Sequence, residues 1–305
     1  MEKTALPSTP FKTESSEAAF NSALPEEMIT ILDDPNLLRN FLRSSQVGSQ
    51  PTEQWASVHR VLAQWAESIY NGGMGQLLYY LNEYDMFQDT KDIVYHDILE
   101  KLCLDGSSRF LDAGCGAGQL LLAAGEHSPL MSVGIDLDPI GLVLARYLLT
   151  QSGATTTLRQ GSVAALPFED GQFSAIACRS VLMYVDSEEA MRELARCLQI
   201  GGRLYLKVHP PRYYMSKILD GLRAGKAKLA IYHMMVLANS VLSVLSPGLT
   251  VKLGRTKGYK ESPITFPWMR RSAALNGLQI LEHEFCCTGI NTPDVLLMKI
   301  STPEK

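Results

Sequence analysis

The sequence predicts an α/β fold in which a mostly parallel sheet carries helices on both faces. One observation is an apolar run that ends at Asp112 and leads into three alternating glycines, Gly114, Gly116 and Gly118. Another is a second apolar run that ends at Asp136, after an apolar helical segment. The third is that strand and helix patterns keep alternating to about residue 210, which is typical of a parallel sheet covered on both faces. Such glycines let the backbone approach a ligand, and a carboxylate ending the second strand can accept hydrogen bonds from ribose hydroxyls.

The composition is ordinary for a globular protein, because 46% of the 305 residues are hydrophobic and 20% are charged. This length leaves room for one large domain and a smaller cap. The first residues are polar and acidic, so we expect no secretory signal and a cytoplasmic protein. The cysteines form no Cys-x-x-Cys pair, so we expect reduced thiols and no metal site, with Cys115 filling space in the glycine turn. The six are Cys103, Cys115, Cys178, Cys197, Cys286 and Cys287.

The N-terminal part is predicted to form a disordered tail over 1–20 and a helical cap over 21–104. The tail is rich in Ser, Thr, Pro and Glu, a composition that does not bury a core. The segments 25–32 and 36–42 have helical periodicity and are separated by Asp34 and Pro35. Farther on, apolar residues recur at three- and four-residue steps, as one buried helix face requires. They are Trp55, Val58, Val61, Leu62, Trp65 and Ile69.

Residues 105–210 and 264–305 are predicted to form the sheet domain, and residues 211–263 a helical insertion after the fifth strand. The C-terminal part returns to a helix at about 264–276, a strand at about 279–286 and a last strand at about 294–301.

The spacing of the glycines separates this turn from that of dinucleotide-binding proteins, which use Gly-x-Gly-x-x-Gly to leave helix amides for a pyrophosphate. Here Gly-x-Gly-x-Gly follows Asp112 and Ala113, and it resembles motif I of the class I S-adenosylmethionine-dependent methyltransferases, the small-molecule type similar to the ubiquinone and menaquinone methyltransferases. The similarity runs from about 110 to 208. Four further motifs follow in order: a ribose motif at 134–137, an adenine loop at 160–168, a fourth strand at 173–178 and a helix–Gly-Gly–strand unit at 196–206.

The resemblance implies a Rossmann-like sheet of seven strands with the last strand antiparallel. It also implies S-adenosyl-L-methionine as the cofactor and S-adenosyl-L-homocysteine as the product. Asp112 would anchor the methionyl amino group, Asp136 would take the ribose hydroxyls and Leu137 would lie on the adenine. Ser162 stands where the family often has Asp for the adenine amino group, so that contact would lack a charge. Asp138 is an alternative ribose ligand, but it precedes a proline and is interpreted as a helix cap.

The predicted cofactor-binding residues are Asp112, Gly114, Cys115, Gly116, Gly118, Asp136, Leu137, Gly161, Ser162, Val163 and Arg179.

Methyl transfer from a sulfonium requires mainly alignment, and a base only where the acceptor carries a proton. Catalytic side chains are expected at the carboxyl ends of the strands, where open α/β sheets bind ligands. His209 follows strand five and is predicted as a general base, because its ordinary pKa is near neutral; the alternative is that it only hydrogen-bonds a loop. Tyr184 follows strand four and is predicted to orient the acceptor, or else to be a core residue. His233 lies in an apolar helical run and is expected to be packed.

An aromatic segment at 70–87 and two methionines of the insertion are the predicted acceptor contacts. By resemblance, helices placed before the sheet domain cover the cofactor and touch the acceptor, so Tyr70, Tyr80 and Tyr84 are expected to line the pocket. They could equally hold the cap to the core. Met234 and Met235 suit an adaptable apolar pocket.

The insertion carries an excess of positive charge. From Arg203 to Lys260 there are eleven Lys or Arg and one acidic residue, while the whole chain has a net charge of −4. This asymmetry predicts an anionic partner: a phosphorylated or carboxylated acceptor, anionic lipid or nucleic acid. Residues 229–249 have the length of a membrane span but contain His, Asn and Ser, so an amphipathic lid or dimer helix is favoured over a span. A long buried helix with a solvated basic face is the alternative.

The sequence therefore predicts a methyltransferase that acts on an oxygen or nitrogen of a small, partly apolar and anionic acceptor. The first alternative is a membrane-associated lipid, quinone or prenyl-diphosphate C-methyltransferase, with peripheral membrane contact; a homodimer is also compatible with the apolar helix. A tRNA or rRNA methyltransferase is less favoured, because no RNA-binding module is recognisable and the isoelectric point is about 5.9. The last alternative is a non-catalytic partner subunit that binds the cofactor.

Overall fold

A computed structural model describes residues 23–45, 53–70, 73–127, 131–245, 261–285 and 292–301. The predicted tail over 1–20 lies outside these ranges, as do Cys286, Cys287 and residues 246–249 of the long apolar segment. The seven strands are Arg109–Ala113 (β1), Met131–Asp136 (β2), Thr156–Gln160 (β3), Phe173–Arg179 (β4), Leu198–Lys207 (β5), Leu278–His283 (β6) and Asp294–Lys299 (β7).

The strands form one sheet in the order β3-β2-β1-β4-β5-β7-β6. Parallel pairing joins β1 to β4, β2 to β3, and β4 to β5. The last strand, β7, is antiparallel to both of its neighbours, β5 and β6. The predicted α/β fold with a seven-stranded, mostly parallel, Rossmann-like sheet is confirmed. Chain order reverses between β1 and β4, which is where sheets of this kind bind ligands.

The chain divides into two compact units. The first takes the described residues up to Glu100 together with Cys115–Gln160, and the second takes Lys101–Gly114 and the described residues from Gly161 onward. The N-terminal helices thus group with β2 and β3, whereas β1 groups with the remaining strands.

The first unit contains helices Glu26–Asp33 (α1), Pro35–Ser44 (α2), Glu53–Ile69 (α3) and Gly73–Thr90 (α4), followed by a π-helical turn over Lys91–Tyr95 and by His96–Leu102 (α5), whose last residues belong to the second unit. Helices Gln119–His127 (α6) and Pro139–Ser152 (α7) follow the glycine turn and β2. The predicted break before Pro35 is confirmed, because the Asp34 carboxylate caps α2 by accepting from the backbone amides of Asn36 and Leu37 at 2.8 and 3.3 Å. Buried apolar residues such as Phe41, Leu62 and Leu81 form the core of these helices.

The second unit contains a 3₁₀ turn over Leu182–Tyr184 and helices Ser187–Cys197 (α8), Pro211–Arg223 (α9), Ala227–Leu245 (α10) and Phe266–Leu275 (α11). The helix and two strands predicted at the C-terminus are confirmed, with bounds within about three residues. One detail differs from the predicted helix–Gly-Gly–strand unit. Strand β5 begins at Leu198, before Gly201, because its register with β4 jumps from Phe173↔Leu198 to Ala175↔Arg203 and the glycine pair forms a bulge inside the strand.

The insertion forms a helical hairpin of α9 and α10. The helices approach closely at Gly221, where an added Cβ would lie 3.1 Å from the backbone nitrogen of Ala230. On α10 the apolar side chains of Ile231 and Met234 are 46% and 44% exposed, while Ala230, His233 and Val236 form the buried face. Nowhere in the described ranges is a helix both long and apolar enough to cross a bilayer.

Candidate cofactor and acceptor site

The glycine turn leaves β1 and enters α6. All three glycines have a positive φ, from +52° at Gly116 to +86° at Gly114, a region that L side chains rarely adopt. The backbone amide of Cys115 donates to the carbonyl of Ile135 at 3.1 Å, which fixes the turn beside β2. The Cys115 side chain is buried, and its sulfur would lie 2.9 Å from a Cβ added to Gly134. The interpretation of Cys115 as a space-filling residue is therefore supported.

Asp136, at the end of β2, holds the turn through its carboxylate. One oxygen accepts from the backbone amide of Gly116 at 2.8 Å, and the other accepts from the backbone amide of Asp138 at 2.8 Å. Burial raises the pKa of Asp136, and these amides oppose the rise. A carboxylate fixed in this way faces the chain's own turn, and its remaining lone pairs are suited to ribose hydroxyls.

Asp138 is the N-cap of α7, as predicted. Its carboxylate accepts from the backbone amide of Ile140 at 2.9 Å and from the hydroxyl of Tyr80 at 3.1 Å. The Tyr80 ring lies directly over the turn, because a Cβ on Gly116 would approach its Cε1 to 3.0 Å. Burial, and then the charge of Asp136, raise the pKa of Asp138 to about 7. Asp138 is therefore a buried group that titrates near neutral pH.

We expect Asp138→Asn to remove part of the pH dependence of stability. An unfolded Asp has a pKa of about 3.9, so the folded protein binds this proton more tightly than the unfolded chain. The contribution of Asp138 to stability is then greatest below about pH 4 and is lost as the pH rises to about 7. The full difference corresponds to about 4 kcal/mol. Urea unfolding at stepped pH should show the wild type losing stability relative to Asp138→Asn as the pH rises from about 4 to about 7. Identical profiles for Asp138→Asn and the wild type would refute this.

Gln160 ends β3 beside Asp136 and was not among the predicted contacts. Its amide nitrogen donates to the backbone carbonyl of Leu137 at 3.0 Å, which fixes the predicted adenine-contacting residue. Its amide oxygen is buried and has no hydrogen-bond partner among the described residues. A buried acceptor of this kind suits a ligand N–H, such as the adenine amino group. Its place as the first residue of the predicted adenine loop at 160–168 is the signal that could have identified it.

The loop after β3 carries Gly161, Ser162 and Val163 in the second unit. The Ser162 hydroxyl accepts from the backbone amide of Ala164 at 3.2 Å, so it serves the loop's own turn. Farther along, Glu193 accepts from the amide of Leu166 at 2.9 Å. Arg196 donates to the carbonyl oxygens of Leu166 and Phe168 at 3.0 and 2.8 Å and to Glu193 and Asp170. Helix α8 thus fixes this loop.

The carboxyl ends of β1 and β4 meet in the second unit. Asp112 is buried at the end of β1, opposite Ala177 of β4. Gly114 lies against Val181, whose Cγ2 would be 2.1 Å from an added Cβ. Beside Arg179, which ends β4, Ser180 has a φ of +55° and donates its amide to the carbonyl of Lys207 at 2.8 Å. Strained residues of this kind are concentrated at functional sites.

The two predicted catalytic residues, Tyr184 and His209, lie together in the second unit. Their ring centroids are 6.1 Å apart and nearly perpendicular, and His209 is buried and stacked on Tyr213 at 4.0 Å. Tyr213 and the neighbouring Tyr214, 6.4 Å from His209, are further candidate site residues that were not predicted. Their position directly after His209 and two prolines could have indicated them. The catalytic role of His209 and Tyr184 stays a prediction.

Two other groups of predicted acceptor contacts lie in different units. In the first unit, Tyr70 follows α3, and Tyr84 stacks on Phe87 with centroids 6.3 Å apart. In the second, Met234 is 44% exposed and Met235 is half-buried on α10. Their contact with an acceptor remains a prediction. His233 is buried among the rings of Tyr214 and Tyr232, which confirms that it is packed.

The chemistry of these residues fits S-adenosylmethionine. In the first unit, the Asp136 carboxylate suits ribose hydroxyls and the buried Gln160 oxygen suits an adenine amino group. In the second unit, the buried Asp112 carboxylate suits a cationic amino group. None of the four described cysteines forms a disulfide, and among the residues that have described positions no three His, Cys, Asp or Glu side chains group as metal ligands.

Comparisons with known proteins agree with this chemistry. A family model described as a methyltransferase domain matches residues 111–206. A demethylmenaquinone methyltransferase of Thermus thermophilus is 36% identical over 126 residues, which are 37% of this chain and 57% of that protein. A ubiquinone/menaquinone biosynthesis C-methyltransferase of Geobacter is 26% identical over 178 residues, covering 53% of this chain and 75% of that protein. The chain thus spans little more than half the length of the Thermus relative.

A solved structure has the same fold. It is a candidate S-adenosyl-L-methionine-dependent methyltransferase from Methanococcus maripaludis, with a TM-score of 0.50 and 17% identity, covering 76% of this chain and 94% of that one. The sheet order, the glycine turn that Asp136 holds by hydrogen bonds and the family match lead to one conclusion. The chain carries a class I S-adenosylmethionine-dependent methyltransferase domain, whose cofactor is S-adenosyl-L-methionine.

Proposed function

We propose that the protein transfers a methyl group from S-adenosylmethionine to a small, largely apolar acceptor. The observation that carries this proposal is the turn held by Asp136, two hydrogen bonds of 2.8 Å that shape a cofactor site inside the matched domain. When bound, the cofactor supplies a methyl group on a positively charged sulfur. The chain's own residues would then hold the acceptor, exclude water and accept any proton that it must lose.

The acceptor that we favour is a reduced quinone-type ring methylated at carbon. The names of the Thermus and Geobacter relatives, a demethylmenaquinone methyltransferase and a quinone-biosynthesis C-methyltransferase, support this choice. The aromatic rings around His209 suit a flat, partly apolar molecule. Transfer to oxygen or nitrogen, as the sequence predicts, is the second candidate, since the same rings would accept a phenol or an aromatic amine.

The α9–α10 hairpin favours delivery of such an acceptor from a membrane surface. On α9, Met215, Leu219 and Leu222 recur at helical spacing and are each more than half exposed. Basic side chains accompany them on the hairpin: Lys217, Arg223, Lys226 and Lys228. Exposed apolar residues with neighbouring cations are typical of a surface that contacts anionic lipid. We include peripheral membrane contact in the proposal, with a homodimer through the same face as its alternative.

The test is a transfer assay with the full chain and radiolabelled S-adenosylmethionine. A demethylated menaquinol is offered in anionic and in neutral vesicles, and bulk tRNA is offered in parallel. We expect label in the extracted quinone, more with anionic vesicles, and a new methyl group on a ring carbon in the product's NMR spectrum. A methyl group on oxygen would favour the second candidate. Label in tRNA, or bound cofactor without transfer to any acceptor, would contradict the proposal and favour the RNA or non-catalytic alternatives.

A further inference from the structure

Residues 261–265 lie over the loops that follow β4 and β5. The backbone amide of Ser262 donates to the carbonyl of Met183 at 2.9 Å, and that of Ile264 donates to the carbonyl of His209 at 2.9 Å. Both loops are at the carboxyl ends of neighbouring parallel strands, where ligands bind in such sheets. Glu261, directly before these anchors, is therefore held at the ligand edge of the second unit.

The Glu261 side chain is buried and accepts hydrogen bonds from two phenols. Tyr214 of α9 donates to one carboxylate oxygen at 2.9 Å, and Tyr232 of α10 donates to the other. The carboxylate thus joins both helices of the hairpin to the segment over the strand ends. Burying a carboxylate is costly unless it is hydrogen-bonded, and here each of its oxygens has a phenol donor.

The two phenols differ in their access to a ligand. Tyr214 is fully buried, and burial, followed by the charge of Glu261, raises its pKa well above the ordinary value, so it remains a donor to Glu261. Tyr232 is half-buried. Ring contacts lead from His209 through Tyr214 and His233 to Tyr232, with centroid separations of 6.4, 5.9 and 5.1 Å. Of the two phenols that bind Glu261, Tyr232 is therefore the one whose partial exposure leaves it open to a ligand.

We propose that Tyr232 and Glu261 form a proton-accepting site that binds a hydroxyl group of the acceptor. A phenol that donates its proton to a carboxylate presents its oxygen to a ligand as an acceptor, so the pair selects ligands bearing O–H or N–H. Such a site distinguishes a hydroquinone from the oxidised quinone or from an ether of the same shape. This inference rests on the proposed ring-type acceptor.

The site also provides a route for the acceptor's proton. The O–H bond of the acceptor breaks as its proton moves to the Tyr232 oxygen, while the Tyr232 proton moves to the Glu261 carboxylate. The acceptor is left as an oxyanion with the electron pair of that bond, and Glu261 is left neutral. Because an oxyanion donates electron density to its ring, both a ring carbon and the oxygen become better nucleophiles. Glu261 returns the proton to solvent or to the product.

The experiment measures binding of two probes to the full chain saturated with S-adenosylhomocysteine. The probes are naphthohydroquinone, kept reduced, and its dimethyl ether, which has the same ring and no O–H. We expect the wild type to prefer the hydroquinone by about tenfold. Tyr232→Phe and Glu261→Gln should each bring the two affinities together. The matched control is Tyr147→Phe. This variant also removes a phenol–carboxylate hydrogen bond, the one of 2.6 Å from Tyr147 to Asp33 in the first unit, and it should still prefer the hydroquinone.

Thermal melting of each variant identifies any that fails to fold. If Glu261→Gln fails to fold, the conservative Tyr232→Phe variant still tests the proposal. The proposal is overturned if the wild type binds both probes equally, or if a folded Tyr232→Phe retains the preference. Absence of binding by the wild type would overturn both the site and the ring-type acceptor. Preferential binding of the hydroquinone without methyl transfer to menaquinol would remove the proposed function and leave the hydroxyl site in place.

Discussion

Replacing Asp136 with Ala is expected to weaken S-adenosylmethionine binding by about 100-fold or more. The carboxylate holds the backbone amides of Gly116 and Asp138 at 2.8 Å each, so its loss releases the turn from β2. In the complex, the Asp136→Ala variant would also lack the hydrogen bonds that the ribose hydroxyls donate to this carboxylate. A hydrogen bond to a charged group contributes about 1.5–3 kcal/mol, and two or more are removed here. Isothermal titration calorimetry with S-adenosylmethionine measures the loss directly.

The control for Asp136→Ala is a carboxylate that organises another turn. Asp105 accepts from the backbone amide of Ser107 at 2.9 Å and from the hydroxyls of Ser107 and Ser108, in the loop before β1. Asp105→Ala should lower the melting temperature modestly and leave cofactor affinity unchanged. Unchanged affinity in a folded Asp136→Ala would contradict the assignment of Asp136 to the cofactor site. A loss confined to stability would mean that Asp136 only holds the turn.

The conformation of the glycine turn and of the residues after β2 was predictable because its determinants are local in sequence. The turn, the carboxylate that follows the next strand and the N-cap Asp138 are fixed by short spacings and by backbone conformations that few residue types adopt. The same holds for the sheet, whose strands and helices have clear periodicities. Gln160 was missed because its role depends on β2–β3 register, which positions it opposite Asp136.

The acceptor half was much less predictable. Glu261 is more than fifty residues from His209 along the chain, and it belongs to the site only because two backbone hydrogen bonds fix 261–265 over the strand ends. Tyr214 and Tyr232 occupy different helices, and only the packing of α9 on α10 brings both phenols to one carboxylate. Which face of α10 is buried likewise depends on tertiary packing, because α10 packs on α9 with Ala230 buried and Met234 exposed. Side chains that a long insertion brings together leave no spacing pattern in the sequence.

Gly114→Ala is expected to destabilise the protein by about 3–5 kcal/mol, from strain and overpacking together. At a φ of +86° an L side chain is strained wherever it points. Here the new Cβ would also lie 2.1 Å from Cγ2 of Val181, in the loop after β4. Because the turn must shift to relieve this contact, affinity for S-adenosylmethionine should fall with stability. Urea unfolding and calorimetry on the same preparations measure the two effects.

Gly201→Ala separates the two causes. Gly201 has a φ of +82° in the same unit, and no heavy atom lies within 4 Å of its added Cβ, so its replacement should cost only the conformational strain, about 1–2 kcal/mol. Val181→Ala removes the clashing methyl groups, and in the double variant with Gly114→Ala it should restore most of the excess loss, giving a coupling of about 1–3 kcal/mol. If the changes in the free energy of unfolding caused by the two substitutions simply add, the turn is not packed against Val181 and the loop after β4 does not fix its position. A restored stability with cofactor affinity still low would mean that glycine is needed at this position for the ligand as well as for the fold.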